Sequence, residues 1–180
     1  MDFISLDLET ANADISSICQ IGLAGFRNGL LREEWKTYID PGDAFDKAHV
    51  SIHGITESAV KGAPTLLDVV DILYHYLDNQ ITVCHTPLHR AALQQACKKH
   101  HLRLPFCTWL DSADVARRAW EPSPGRGDGL ADTCAAIGYQ FAEHDALERA
   151  KAAAYILLAA IEKTGIDLRG WLPCEEEQRY

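Results

Sequence analysis

The pattern of apolar and polar positions makes the first part of the chain rich in strands. Residues 3–8 alternate around apolar side chains, as a half-buried strand does. An apolar run over 18–26 and a second run over 31–39 flank Asn28-Gly29, a dipeptide typical of tight hairpins. The pattern therefore predicts three antiparallel strands at the start of the sheet.

Beyond residue 40 the apolar spacing changes to that of helices, interrupted by short buried runs. A chain in which strands alternate with helices folds as an α/β domain. We therefore predict an α/β fold, a mixed sheet in which parallel strands follow the three antiparallel ones, with helices on both faces. The expected elements are helix 65–77, strand 81–84, helix 88–101, strand 106–110, helix 111–120, helix 130–137 and helix 146–163.

The length of 180 residues suits one domain with a sizeable core. We place the folded domain at 1–166 and expect 167–180 to be a loosely held tail. Segment 121–129 is rich in glycine and proline, but it is too short to link two domains.

Composition is that of an ordinary globular protein, with 47% hydrophobic and 24% charged residues. The sequence contains neither a membrane-spanning apolar run nor a signal region, so we expect a cytoplasmic protein without a membrane partner. Its six cysteines form no C-x-x-C pair and are expected to be reduced thiols. The net charge of −9 argues against broad binding to duplex backbones but allows a local pocket for a few nucleotides.

Candidate chemistry begins with Asp7 and Glu9, which lie two residues apart on the first strand and therefore project to the same side. Such a carboxylate pair can hold Mg²⁺ or Mn²⁺. The alternative is two acids that face solvent at the end of a strand.

Three later segments carry further polar groups. Residues 50–56 form either a helix-capping loop, with Thr56 as the cap, or a face that stacks on a nucleobase. His85 and His89 follow a buried strand, at the edge where α/β proteins place their sites. We expect both to form hydrogen bonds with the backbone rather than to bind a zinc ion. His144 precedes the last helix as a general base or a simple cap.

Taken in order, these segments resemble the DEDDh branch of 3′–5′ exonucleases, proteins similar to the proofreading ε subunit, with a ribonuclease-H-like fold. The resemblance runs from Phe3 to about Ile161. It rests on the following stretches: Asp7-Leu8-Glu9-Thr10-Ala11-Asn12, Ile18-Cys19-Gln20-Ile21-Gly22, Val50-Ser51-Ile52-His53-Gly54-Ile55-Thr56, His85-Thr86, Trp109-Leu110-Asp111 and His144-Asp145-Ala146-Leu147.

The resemblance implies a site in which four acids hold two divalent metal ions and a histidine activates water. Asp7 and Glu9 match the first two acids, and His144 matches the base. His89 and Arg149 occupy the positions of the third and fourth acids. The chain thus departs from the family at half of its metal-binding acids.

These departures lead to an expectation of impaired catalysis. Asp145 is the candidate to replace a missing metal ligand, although it can instead pair with Arg149 one helical turn later. The cofactor is expected to be Mg²⁺ or Mn²⁺ if the protein is active, and none otherwise.

The expected ligand is the 3′ end of single-stranded DNA or RNA, or a nucleotide. The candidate substrate-binding residues are Thr10, His53, Ile55, His85, His89, Arg90 and Arg149. Two alternatives stay open: an inactive nucleotide-binding module, and a protein–protein adaptor, either of them as a monomer or as a homodimer.

Overall fold

A five-stranded mixed sheet forms the centre of the protein. The computed structural model describes residues 1–120, 127 and 129–173. The strands are β1 (Phe3–Thr10), β2 (Ile18–Arg27), β3 (Leu30–Tyr38), β4 (Ile81–Cys84) and β5 (Thr108–Asp111). They lie in the order β3-β2-β1-β4-β5, with the first three antiparallel and with β4 and β5 parallel to β1. The expected mixed sheet is confirmed.

Helices cover both faces of the sheet. They are α1 (Lys47–His53), α2 (Glu57–Val60), α3 (Leu66–Leu77), α4 (Leu88–Lys99), α5 (Ser112–Ala119), α6 (Leu130–Ala136) and α7 (Ala146–Thr164), followed by a 3₁₀ turn, Leu168–Trp171. One core lies between the sheet and α5, α6 and α7, and a second core packs the other face against α3 and α4. Each face of a central sheet therefore buries its own apolar layer.

The turn and cap residues behave as expected. Asn28 and Gly29 have φ of 53° and 74°, as a type I′ hairpin turn requires. Thr56 and Asp111 cap α2 and α5 with their side chains. Local sequence thus determines where these elements begin and end.

Two expectations need correction. The apolar pattern did not predict α1, a helix of seven residues. The side chain of Asp46 caps this helix with a hydrogen bond. Within the tail expected over 167–180, the turn Leu168–Trp171 is not loosely held, because Leu168 is 7% exposed and Trp171 is 1% exposed in the core. Most of the glycine- and proline-rich segment 121–129, and all of 174–180, lie outside the described residues.

Five cysteines, at positions 19, 84, 97, 107 and 134, are free thiols, as expected. Cys174 lies outside the described residues. Within the described ranges, no helix is long and apolar enough to cross a membrane.

Candidate active site

Asp7, His89 and Arg149 form a buried cluster at the end of β1. The Asp7 side chain is 2% exposed and both of its oxygens are engaged. His89 Nε2 lies 3.1 Å from Oδ1, and Arg149 Nε lies 3.1 Å from Oδ2. The two residues that the resemblance aligns with acids therefore contact Asp7 from both sides.

The proton of His89 has a defined position. The backbone N–H of Leu8 donates to His89 Nδ1 at 3.4 Å, so the neutral ring carries its hydrogen on Nε2, which lies 3.1 Å from Asp7 Oδ1. Burial, followed by the charge of Arg149, lowers the pKa of His89 to about 4. His89 is therefore neutral near pH 7, and its bond with the Leu8 N–H agrees with the backbone hydrogen bond expected from the sequence.

Arg149 bridges the two carboxylates of the opening motif. Its Nε lies 3.1 Å from Asp7 and 3.5 Å from Glu9 Oε1, and Nη1 donates to the carbonyl of Glu143 at 3.4 Å. Burial would lower the pKa of Arg149, but the charges of Asp7 and Glu9 outweigh it and raise that pKa. The pair expected between Asp145 and Arg149 is replaced by these contacts.

The buried position of both carboxyl groups disfavours their ionised form. Burial raises the pKa of Asp7 to about 7 although Arg149 opposes the shift. Burial, and then the charge of Asp7, raise the pKa of Glu9 to about 7. Even with the Arg149 guanidinium beside them, the two acids therefore lie close to their titration midpoints at neutral pH.

The close approach of α7 to the sheet brings Arg149 to Asp7. Gly22 on β2 pairs with Asp7, and a Cβ on Gly22 would lie 2.3 Å from the backbone of Ala146. Gln20 Oε1 accepts the N–H of Ala146 at 2.8 Å, and the Ser5 hydroxyl donates to the Ala150 carbonyl at 2.6 Å. The Gln20 and Gly22 contacts give a structural reason for the Ile18–Gly22 motif.

A cleft of about 480 Å³ opens beside this cluster. It is lined by the predicted residues Glu9, Thr10, His53, His85, His89 and Arg149, and also by His49, Ile52, Leu88, Phe141 and Glu143, which the sequence reasoning did not single out. Ile52 and Leu88 are aliphatic, yet they are 60% and 55% exposed. This exposure, which the sequence does not reveal, marks them as part of the cleft wall.

Two of the cleft histidines are held by polar neighbours. His53 Nδ1 accepts the N–H of Ile55 at 3.0 Å, so Nε2 donates to the carbonyl of Thr10 at 3.1 Å. His85 Nδ1 lies 2.9 Å from the hydroxyl of Ser112, which is fully buried. These bonds orient the rings at the wall of the cleft.

Three candidate residues lie elsewhere. Asp145 caps α7 by accepting the N–H groups of Leu147 and Glu148, and it also pairs with Lys36. Ile55 is 3% exposed in a small apolar cluster, so its side chain is not a binding surface. Arg90 lines a different cavity, because consecutive helical residues point about 100° apart.

His144 is exposed in the turn before α7, as the sequence allowed. Its charge lowers the pKa of Glu9 and also acts on His53. It therefore lies within electrostatic range of the acidic end of the cleft.

The donor set differs from four carboxylates around two metal ions. Asp7 Oδ2 accepts a hydrogen bond from Arg149, His89 Nε2 lies 3.1 Å from Oδ1, and the same guanidinium stands beside Glu9. Among the described residues, no three histidine, cysteine or carboxylate side chains are grouped so that they could hold a metal ion. The side chains present therefore do not fit the two-metal centre that the resemblance implies.

Comparison with known proteins settles the family. Residues 4–157 match the sequence model of RNase_T, described as "Exonuclease". The chain belongs to this exonuclease family.

The exonuclease relatives include a putative bifunctional exonuclease/endonuclease protein of Mycobacterium tuberculosis, 26% identical over 95% of this chain and 29% of its own length. The ε subunit of DNA polymerase III from Buchnera aphidicola is 25% identical over 73% of this chain and 59% of its own length. The chain thus spans less than two thirds of these relatives.

Solved exonuclease structures share the fold. Exonuclease X in complex with 5′ overhanging duplex DNA superposes with a TM-score of 0.75 at 20% identity, covering 94% of this chain and 97% of its own. The nuclease domain of 3′hExo, a DEDDh family member bound to rAMP, gives 0.75 at 15% identity, covering 91% and 92%. The ribonuclease-H-like fold of this exonuclease-family chain is therefore confirmed.

Proposed function

We propose that the protein binds the 3′-terminal nucleotide of single-stranded DNA or RNA in the cleft beside Asp7 and does not hydrolyse it by the two-metal route. The observation that carries the proposal is the position of Arg149, whose Nε lies within 3.5 Å of both Asp7 and Glu9. A built-in cation thus stands between the two acids that the family uses for metal ions.

Charge balance supports the loss of two-metal catalysis. Four carboxylates would balance two divalent ions, whereas Asp7 and Glu9, even when both are ionised, leave a formal charge of only −1 with neutral His89 and cationic Arg149. Arginine does not deprotonate in proteins. At a separation of 4 Å and an effective dielectric of 20, each added unit of positive charge near Arg149 costs about 4 kcal/mol.

The cleft keeps features that suit a nucleotide. Ile52 and Leu88 present aliphatic surface to a base, and the Arg149 side chain is 27% exposed, so its outer N–H groups can donate to a phosphate. Related folds carry DNA or rAMP, which makes a nucleotide the first ligand to test.

A second candidate is a protein–protein adaptor, either with another protein or with a second copy of the chain. It is favoured by the pairing of Arg149 with two carboxylates, because a guanidinium neutralised in this way attracts phosphate less than an unpaired one does. The two candidates differ in whether a nucleotide enters the cleft.

The test for binding uses short 5′-labelled single strands of DNA and RNA in EDTA. We expect binding that weakens when a 3′-phosphate blocks the terminal hydroxyl and when Ile52→Glu narrows the cleft. Leu67→Glu, at another exposed aliphatic residue, is the matched control. Failure to bind any strand without metal would reject the nucleotide proposal and leave the adaptor.

The test for catalysis compares the wild type with His89→Asp/Arg149→Asp in Mg²⁺ and Mn²⁺. We expect release of mononucleotides from the 3′ end by the double variant and little by the wild type. His101→Asp/Arg32→Asp makes the same charge change on the surface and should stay inactive. If the wild type already degrades strands as fast as the double variant, the proposed impairment is wrong.

A further inference from the structure

A second cavity of about 470 Å³ adjoins the cleft on the side of α6. Ala131, Phe141 and Glu143 line both cavities, so the two form one continuous groove. The described residues that line only the second cavity are Ala135, Gly138, Tyr139 and Gln140. The groove therefore extends beyond the part that adjoins the acidic cluster.

The walls of the second cavity are held by α6 and α7. Gly138 follows α6 with a φ of 74°, and the N–H of Tyr139 donates to the carbonyl of Cys134 at 2.9 Å. The ring of Tyr139 lies 4.5 Å from the ring of Tyr155 on α7. Phe141 is partly buried and packs against the apolar layer that α5, α6 and α7 form. These contacts position both aromatic rings independently of a ligand.

Glu143 links this wall to the acidic cluster. Its backbone carbonyl accepts a hydrogen bond from Arg149 Nη1 at 3.4 Å, and its exposed side chain lines both cavities. Arg149 in turn donates to Asp7. The junction of the two cavities therefore lies next to the position that we propose for the 3′-terminal nucleotide, and the preceding nucleotide of the strand has the second cavity within reach.

The side chains of the second cavity suit a nucleobase better than a phosphate group. Glu143 is the one charged group among the described lining residues, and a carboxylate repels phosphate. Phe141 offers a ring on which any base can stack. Gln140 carries both donors and an acceptor, so it does not discriminate between bases. The Glu143 carboxylate only accepts, and it therefore pairs with an exocyclic amino group such as N4 of cytosine and not with O4 of uracil.

We propose that the second cavity binds the penultimate base of a strand whose 3′-terminal nucleotide occupies the cleft, and that Glu143 makes the protein prefer cytosine to uracil at that position. The inference rests on the proposed binding of a 3′ end, and it names the strands that bind best. Phe141 stacks on the base, and Glu143 accepts a hydrogen bond from its amino group. Adenine, whose N6 also donates, is accepted too, whereas thymine and uracil are disfavoured.

Paired 5′-labelled DNA strands, titrated in EDTA with the full-length chain, test this preference. The two strands end in the same adenine and differ only in dC or dU at the penultimate position. We expect the wild type to bind the dC strand about fivefold more tightly, as one charge-assisted hydrogen bond would give. In Glu143→Gln the two affinities should become equal, because an amide also donates to O4. Glu162→Gln, at an exposed position of α7, makes the same charge change and should keep the preference of the wild type.

The ratio of the two affinities within each variant is the readout, so a general loss of binding does not imitate the expected result. Moving the dC or dU one position further from the 3′ end should abolish the preference. Equal affinity of the wild type for the two strands would overturn the inference and leave the proposed binding of a 3′ end intact. A preference that Glu143→Gln retains would assign the discrimination to another group and overturn the inference as well. If the wild type binds neither strand in EDTA, the proposed function and this inference both fail.

Discussion

At the scale of single residues, His89 shows how one substitution changes the character of a site. An acid at this position would add negative charge beside Asp7, whereas neutral His89 places an uncharged ring nitrogen 3.1 Å from Asp7 Oδ1. Since the N–H of Leu8 donates to the other ring nitrogen, the hydrogen of the neutral ring is on the nitrogen that faces Asp7. The histidine therefore acts as a structural partner of the buried carboxyl group.

The depressed pKa of His89 makes a prediction for stability against pH. The unfolded residue titrates near 6.5 and the folded one near 4, so the unfolded state binds more protons between these values. The stability that neutral His89 contributes is present above pH 6.5 and is lost as the pH falls toward 4. His89→Gln should therefore have a lower free energy of unfolding than the wild type above pH 6.5. This deficit, measured by urea denaturation, should shrink by about 3 kcal/mol as the pH falls toward 4.

His101→Gln is the control for that measurement, because His101 is exposed. Its difference from the wild type should be nearly independent of pH. A constant deficit for His89→Gln from pH 7 to pH 4 would contradict a buried neutral His89.

Thr86 carries backbone strain at the edge of the cleft. Its φ is 89°, a value that β-branched residues rarely adopt. Asparagine tolerates a positive φ better, so we expect Thr86→Asn to raise the free energy of unfolding by about 1 kcal/mol. Thermal denaturation checks this result, with Thr37→Asn on β3 as a control that should be neutral or slightly destabilising.

At the scale of elements, the contact between β2 and α7 decides whether the site exists. Gly22 allows the first turn of α7 to touch the sheet, and Gln20 binds its first N–H group. The helix then reaches back over β1, where Arg149 meets Asp7. A change at Gly22 would therefore act on the site through the helix.

We expect Gly22→Ala to cost about 3 kcal/mol or more, because its Cβ would lie 2.3 Å from backbone atoms that cannot rotate away. Gly25→Ala lies on the same strand, and its Cβ would lie 3.1 Å from the Glu33 side chain, so its cost should be much smaller. Chemical denaturation of both variants checks this. Similar losses for the two would show that strand propensity, and not the approach of α7, determines the effect.

At the scale of the whole molecule, the end of the described chain completes the core. Trp171 packs against the layer formed by α5, α6 and α7, and Arg118 binds its carbonyl. We expect Trp171→Ala to cost about 3–5 kcal/mol, measured by urea denaturation, since the ring is fully buried. Trp120→Ala, which removes a partly buried ring, should cost less than half as much. Equal losses would contradict the anchoring role of Trp171.

Most of the fold could be predicted from local patterns. The hairpin follows from Asn28-Gly29, and α3, α5 and α7 follow from apolar spacing and from caps such as Thr65 and Asp111. Helix α1 was missed because, of its seven residues, only His53 is buried, so it shows almost no apolar period. The packing of Trp171 was missed because a short 3₁₀ turn has no sequence period either.

The sequence by itself determined the mixed sheet, in which parallel strands follow three antiparallel ones, and the family, and it placed Asp7, Glu9, His89 and Arg149 at the positions that the resemblance aligns with acids. Only the tertiary structure decided their partners. It joined Asp7 to His89 and Arg149, committed Asp145 to a helix cap and to Lys36, and separated Arg90 from the cleft. The physical reason is that residue type and spacing determine local conformation, whereas the partner of a charged group depends on which side chains distant segments bring within about 3 Å of it.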